Sequence, residues 1–100
     1  SPGVHISSPA PGASVQGQVA IMGTASIDGF QFYKIEVSPG EQPGAWSSIS
    51  DVHREPVTGG RLDTWNAGAY PSGTYWLRLV VVDQTGNYPP PCAIRLVVGN

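Results

Sequence analysis

The sequence predicts an all-β domain in which about seven antiparallel strands form a two-sheet sandwich. Apolar residues alternate in twos along several segments, which is typical of strands with one buried face. Ten prolines and thirteen glycines separate these segments as turn residues and do not form one low-complexity run. Short strands with such turns between them favour an antiparallel sandwich, although the spacing also fits a closed barrel.

The first half of the chain contains four segments with strand character. Residues 4–6 form a short strand that the prolines within residues 8–12 close, and Val15 belongs to a second short piece. Residues 18–26 alternate as a full strand. Residues 30–38 place Tyr33, Ile35 and Val37 on one face and Phe32, Lys34 and Glu36 on the other.

The second half begins with short pieces at residues 46–49 and 52–53, and we expect Gly59 and Gly60 to turn the chain into residues 61–66. A loop at residues 68–73 precedes the strongest strand, residues 74–83. Its faces are Tyr75, Leu77, Leu79 and Val81 against Trp76, Arg78, Val80 and Val82.

Both faces of residues 74–83 are largely apolar, which predicts a central strand whose outer face is partly covered. Residues 83–87 form a hairpin connection. Three prolines then delay the last strand, residues 92–98.

The charge of the chain is low and balanced. Five basic and seven acidic residues give a net charge of −2, and Lys34 is the only lysine. Nucleic acids and anionic membrane surfaces require clusters of Lys and Arg that this sequence lacks. We therefore expect neither partner.

A single cysteine, Cys92, excludes an intramolecular disulfide and a cysteine-based zinc site. No apolar run is long enough for a membrane span, so we expect no membrane insertion. The chain begins without Met and stops just after a strand. We interpret residues 1–100 as one domain excised from a longer protein.

A longer pattern joins these segments. It includes Ser8-Pro9, Val19-x-Ile21-x-Gly23-Thr24-Ala25, Tyr33-x-Ile35-Glu36-Val37, Trp65-Asn66, Gly73-Thr74-Tyr75-x-Leu77-Arg78-Leu79 and Asp83…Gly86-Asn87. This pattern resembles the immunoglobulin-like, fibronectin type III-like modules of bacterial secreted and cell-surface multidomain proteins. The resemblance spans about residues 4–98 and implies an immunoglobulin-like (fibronectin III-like) sandwich. The paired core cysteines of antibody domains are absent.

The resemblance implies roles in the structure for Tyr75, Trp65, Leu77, Leu79, Ile35 and Asp83. Tyr75 corresponds to a tyrosine corner, in which the ring fills the core and the hydroxyl bonds a backbone group. Trp65 is expected to pack at the margin of the core, and Asp83 to hold the hairpin turn. The family contributes no catalytic residue and no cofactor to this sequence.

Catalytic and metal-binding groups are not evident. His5 and His53 have no nucleophile elbow near them, and the acidic residues are scattered beside turns, where they usually bond backbone amides. Residues 83–87 resemble a calcium loop only weakly, because they carry one charged ligand. The sequence predicts no catalytic, metal or cofactor site.

Aromatic side chains are the best candidates for a ligand site. Trp76 and Phe32 lie on outward faces, and Trp46 begins a short strand, so these three could stack on sugar rings if their strands are neighbours. Packing against a neighbouring strand or domain is the competing interpretation.

The preferred hypothesis is a non-catalytic structural spacer or interaction module of an extracellular or cell-surface bacterial protein, in contact with neighbouring domains of the same polypeptide. The alternative is a module that binds polysaccharide or cell wall through exposed aromatic residues. A third possibility is a piece of an enzyme whose site another domain completes.

Overall fold

A computed structural model describes residues 3–99 of the chain, and within that range the fold is all-β. The strands are β1 (Val4–Ser8), β2 (Ser14–Val15), β3 (Gln18–Ala25), β4 (Phe30–Pro39), β5 (Ser47–Ser48), β6 (Val57–Asn66), β7 (Gly73–Asp83) and β8 (Cys92–Val98). One turn of 3-10 helix, Ala67–Ala69, follows β6.

These strands form two separate sheets, so the closed barrel is excluded. The smaller sheet has the order β1-β3-β6, and the larger has the order β2-β8-β7-β4-β5. Every pair is antiparallel except β2 with β8. The predicted central position of β7 is confirmed, since it lies third of five in its sheet.

One hydrophobic core lies between the inner faces of the two sheets, which makes the molecule a β-sandwich. The alternation predicted from the sequence is confirmed on β3, β4, β7 and β8, where each inward residue is buried. Ile35, Leu77 and Leu79 are each no more than 1% exposed. Period-two patterning therefore determines which face of each long strand is buried.

The pair Gly59–Gly60 does not form the expected turn. Both glycines lie inside β6, where the pairing with β3 shifts register between Gly23 and Ala25. Gly59 has φ +58°, and its N–H donates to Thr24 Oγ1 at 3.0 Å. The two glycines accommodate a β-bulge, because the left-handed conformation lets β6 take an extra residue without ending.

The segment at residues 52–53 was expected to be a short strand and forms only an isolated bridge. His53 exchanges backbone hydrogen bonds with Tyr33 of β4, both at 2.8 Å. This contact holds the connection between β5 and β6 as the chain crosses from the larger sheet to the smaller.

The outer face of the larger sheet is partly covered near the end of β7, as predicted. Val80 and Val82 point away from the core and are still only 6% and 8% exposed. No helix in residues 3–99 has the length and apolar character needed to cross a bilayer.

Candidate functional site

The candidate site lies on the outer face of the larger sheet, where β4 and β7 run side by side. Phe32 of β4 and Trp76 of β7 are both on this face, as the alternation along each strand predicts. Phe32 pairs with Val82, however, and Trp76 pairs with Ser38. The two positions are six residue steps apart along the strands, about 20 Å at the rise of a β-strand. Phe32 and Trp76 therefore do not form one continuous aromatic patch.

Trp76 is held by the connection between β4 and β5. Its indole Nε1 donates to the carbonyl oxygen of Glu41 at 2.8 Å. The Glu41 carboxylate accepts from Arg95 Nε at 3.0 Å and Arg95 Nη2 at 2.9 Å, and from Thr74 Oγ1 at 2.9 Å. The bonds from Arg95 and Thr74 lower the pKa of Glu41. The N–H edge of Trp76 is thus already used by the protein.

Trp46 lies against Arg78. The guanidinium carbon of Arg78 is 4.1 Å from the centroid of the indole, which is a cation–π contact. The chain before Trp46 is fixed by buried Ser38, whose hydroxyl oxygen accepts from Gly44 N at 3.0 Å and Ala45 N at 3.2 Å. One ring face of Trp46 is consequently occupied by a cation.

A buried carboxylate organises the middle of this face. Glu36 is 8% exposed, and its Oε1 accepts from Arg78 Nε at 2.7 Å. Lys34 Nζ lies 3.4 Å from the other oxygen, Oε2. Two cations offset the cost of removing one carboxylate from water, and the three-residue cluster retains a charge of +1.

The Lys34–Glu36–Arg78 cluster was not found from the sequence. Alternation places all three residues on outward faces. Only the register, in which Glu36 faces Arg78, shows that they meet.

A groove runs from this cluster towards the end of β7. Its volume is about 540 Å³, within the range of small-ligand sites. We call it the outer-face groove; it is lined by Gln31, Phe32, Lys34, Glu36, Arg78, Val80, Val82, Gly86, Tyr88 and Pro91. Of the three aromatic residues proposed for ligand binding, Phe32 lines the groove, whereas Trp46 and Trp76 do not.

The outer-face groove has two chemically different ends. Glu36 and Arg78 form the charged end. Lys34 lies two residues from Glu36 along β4, towards Phe32, and is opposite Val80. Phe32 and Val82 form the apolar end, together with residues 86–91 of the connection between β7 and β8. Tyr88 in that connection is 59% exposed, whereas the other aromatic side chains of residues 3–99 are buried or half-buried.

The residues expected to support the fold lie in or beside the core. Tyr75 is 5% exposed, and its hydroxyl donates to the carbonyl oxygen of Pro71 at 2.7 Å, the contact of a tyrosine corner. Burial, and then the proximity of Tyr70, raise the pKa of Tyr75. Trp65 is 1% exposed, deeper than the expected core margin. Its ring packs edge-on against Tyr70 and Tyr75 at 5.2 and 5.8 Å between centroids.

Asp83 stabilises the turn after β7. Its Oδ1 accepts from Thr85 N at 2.9 Å, Thr85 Oγ1 at 2.6 Å and Asn87 N at 3.1 Å. These bonds, led by the Thr85 hydroxyl, lower the pKa of Asp83. One oxygen of the Asp83 carboxylate, Oδ1, is therefore occupied by three turn donors, as is common for aspartate in turns.

A second polar cluster joins Ser50, His53 and Asp63. Asp63 Oδ2 accepts from Ser50 Oγ at 2.6 Å and lies 2.8 Å from His53 Nε2. The His53 ring stacks on Tyr33, with centroids 4.6 Å apart. Burial, and then the charge of Asp63, raise the pKa of Tyr33.

The geometry of this second cluster differs from a catalytic triad. In a triad the histidine binds the carboxylate through one ring nitrogen and the serine through the other. Here His53 Nε2 faces Asp63 at 2.8 Å and Ser50 at 3.4 Å, so the same nitrogen lies nearest to both. Ser50 Oγ also lies closer to the carboxylate, at 2.6 Å, than to the histidine, so the three groups do not form the serine–histidine–aspartate chain of a triad.

Within residues 3–99, no group of three or more His, Cys, Asp and Glu side chains could hold a metal ion. No family model matches the chain, and a search of curated proteins finds no similar sequence.

Proposed function

We propose that this domain is a non-catalytic interaction module and spacer with an immunoglobulin-like, fibronectin III-like sandwich. The outer-face groove is the observation that carries the proposal. Its described lining combines an apolar end with paired charges and contains no serine, cysteine or histidine. Its one carboxylate, Glu36, is held between two cations. This surface is equipped for contact with a partner, and its lining lacks the serine, cysteine and histidine side chains on which most nucleophilic and proton-transfer sites are built.

The immunoglobulin-like assignment is supported by the sheet order and by one side-chain contact. The three-stranded and five-stranded sheets enclose one core, and the hydroxyl of Tyr75 bonds back to residue 71. Together with the sequence pattern, these features support a module of a bacterial extracellular or cell-surface protein, in which neighbouring domains are the first partners.

The test of this proposal is turnover by the isolated domain. Purified residues 1–100 are incubated with chromogenic esters, a casein substrate and aryl glycosides, with a Ser50→Ala variant as the matched control. We expect no hydrolysis above background. Turnover that co-purifies with the domain and disappears in Ser50→Ala would refute the proposal.

Carbohydrate binding is the second candidate, and exposed Tyr88 is the observation that favours it. Tyr88 and Phe32 both line the groove, and exposed aromatic rings can stack on the apolar faces of sugars. Intrinsic fluorescence titrated with soluble cell-wall and plant polysaccharides tests this candidate. It requires a saturable change that Tyr88→Ala removes; an unchanged signal with every polysaccharide would eliminate it.

A further inference from the structure

We infer that the outer-face groove binds an extended acidic peptide, with one ligand carboxylate on Lys34 and Arg78 and apolar side chains at the Phe32–Tyr88 end. This inference rests on the proposed interaction function and names the partner's chemistry. Three properties of the groove carry it: unbalanced charge, prearranged donors and an apolar lining.

The charge of the groove favours an anion. Lys34 and Arg78 share a single carboxylate, Glu36, whose two oxygens are both engaged. The lining includes no other acidic residue. The protein as a whole carries a net charge of −2, so this local excess of positive charge differs in sign from the rest of the molecule. A ligand carboxylate supplies the missing negative charge.

The donors of Arg78 are held in place before any ligand arrives. Its Nε is bonded to Glu36 and its guanidinium is stacked on Trp46. No hydrogen bond within residues 3–99 uses its terminal nitrogens, which keep their N–H donors. Lys34 Nζ lies 3.4 Å from Glu36 Oε2, further than Arg78 Nε lies from Oε1, and the Lys34 side chain is 32% exposed. A guanidinium fixed in this way binds a carboxylate with little further loss of side-chain entropy.

The remainder of the lining favours a peptide over a sugar. Phe32 and Pro91, with the small exposed parts of Val80 and Val82, offer apolar surface, and Gln31 is the only lining residue with a neutral amide side chain. Sugar hydroxyls need hydrogen-bonding partners along the whole site, because each buried hydroxyl without one costs free energy. Beyond the Lys34–Glu36–Arg78 cluster, the side chains of this lining that can hydrogen-bond are Gln31 and Tyr88. Apolar peptide side chains can pack against this surface, and exposed Tyr88 provides an aromatic contact at the apolar end of the groove.

The experiment is an NMR titration of the isotope-labelled domain. The probes are capped octapeptides in which one glutamate is flanked by valine, leucine or phenylalanine, each matched by a peptide with glutamine in place of glutamate. We expect shifts of the backbone amides of Lys34, Arg78, Val80 and Val82 at millimolar or lower peptide. We expect the glutamine peptides to bind about tenfold more weakly, as for the loss of one charge-assisted contact.

Two variants locate the contacts without removing the buried pair of Glu36 and Arg78. Lys34→Gln should lower the affinity for the glutamate peptides and leave the affinity for the glutamine peptides unchanged. Tyr88→Ala should lower the affinity for both. Arg61→Gln is the matched control, because Arg61 is exposed on β6 of the other sheet, and it should change neither. Thermal melts of all three variants establish that they are folded.

Three results would overturn the inference: no shifts with any peptide, shifts confined to residues outside the groove, or equal affinity for glutamate and glutamine peptides. Polygalacturonate is titrated in parallel as an acidic glycan. Binding of that polymer in the groove without binding of any peptide would also overturn it. None of these results bears on hydrolysis, so this inference can fail while the proposed non-catalytic function stands.

Discussion

Single side chains in this protein combine apolar packing with one specific polar contact. Tyr75 places its ring against Trp65 and Tyr70 and its hydroxyl on the Pro71 carbonyl. Glu36 is buried and bonded to two cations. In such residues the packing and the polar contact are separable by conservative substitutions, which allows each to be measured.

Replacing Tyr75 by Phe removes the hydroxyl and keeps the ring. The Pro71 carbonyl loses a 2.7 Å hydrogen bond from a part-buried donor, so we expect Tyr75→Phe to lower the free energy of unfolding by about 1 kcal/mol. Urea denaturation measures the change. Tyr88→Phe is the control, because Tyr88 is 59% exposed, and it should alter stability by less than about 0.5 kcal/mol. Equal effects of the two variants would contradict the assignment of a tyrosine corner.

The Asp83 turn predicts a pH effect. The pKa of Asp83 is lowered in the fold, so the ionised turn stabilises the protein above the unfolded pKa of about 3.9. This contribution is lost as pH falls through the folded pKa. Because the Thr85 hydroxyl is the largest cause of the shift, Thr85→Val should raise the titration midpoint of the Asp83 carboxyl. It should also make the acid loss of stability begin at higher pH.

Carbon-detected NMR of the Asp83 carboxyl measures that midpoint directly. Thr58→Val is the matched control, since Thr58 is exposed on β6 and away from the turn, and it should leave the Asp83 titration unchanged. An Asp83 midpoint that stays the same in Thr85→Val would show that the hydroxyl does not stabilise the ionised turn.

At the level of the strands, Gly23 of β3 packs directly against the backbone of β1. A methyl group added there would lie 2.0 Å from the carbonyl oxygen of His5, a backbone atom that cannot move alone. Gly23→Ala should therefore separate β1 from β3 and destabilise the domain by about 3 kcal/mol. Gly44→Ala is the control, since nothing lies within 4 Å of the added carbon there. Thermal melting distinguishes them, and similar melting temperatures for both variants would contradict this interpretation.

The sequence predicted the long strands and their buried faces because alternation is a local property. It did not predict the bulge at Gly59, since a glycine pair is compatible with a turn and with a bulge, and pairing with β3 decides between them. The same limit applies to the candidate site. Phe32 was found from the face that it shares with Lys34 and Glu36. The groove itself depends on the register of β4 against β7 and on the path of residues 86–91.

Considered as a whole, the molecule has one core that both sheets share. Tyr33 on β4 donates through its hydroxyl to the carbonyl oxygen of Leu62 on β6, which adds a polar link between the sheets. Residues buried from both sheets form a single hydrophobic cluster. Neither sheet can keep its apolar face out of water without the other, so the two should not unfold separately.

Unfolding should consequently be a single cooperative transition. Trp65 reports on the core side of β6, while Trp46 and Trp76 report on the outer face of the larger sheet, and far-UV circular dichroism reports on the strands of both. Urea unfolding is followed by fluorescence and by dichroism, for the wild type and for a Trp46→Phe, Trp76→Phe double variant. Within each protein, the two signals should give the same midpoint. The double variant reports through Trp65 alone. If Trp65 fluorescence changed at lower urea than the dichroism, the core would open before the sheets, and the two-layer packing would not be the unit of stability.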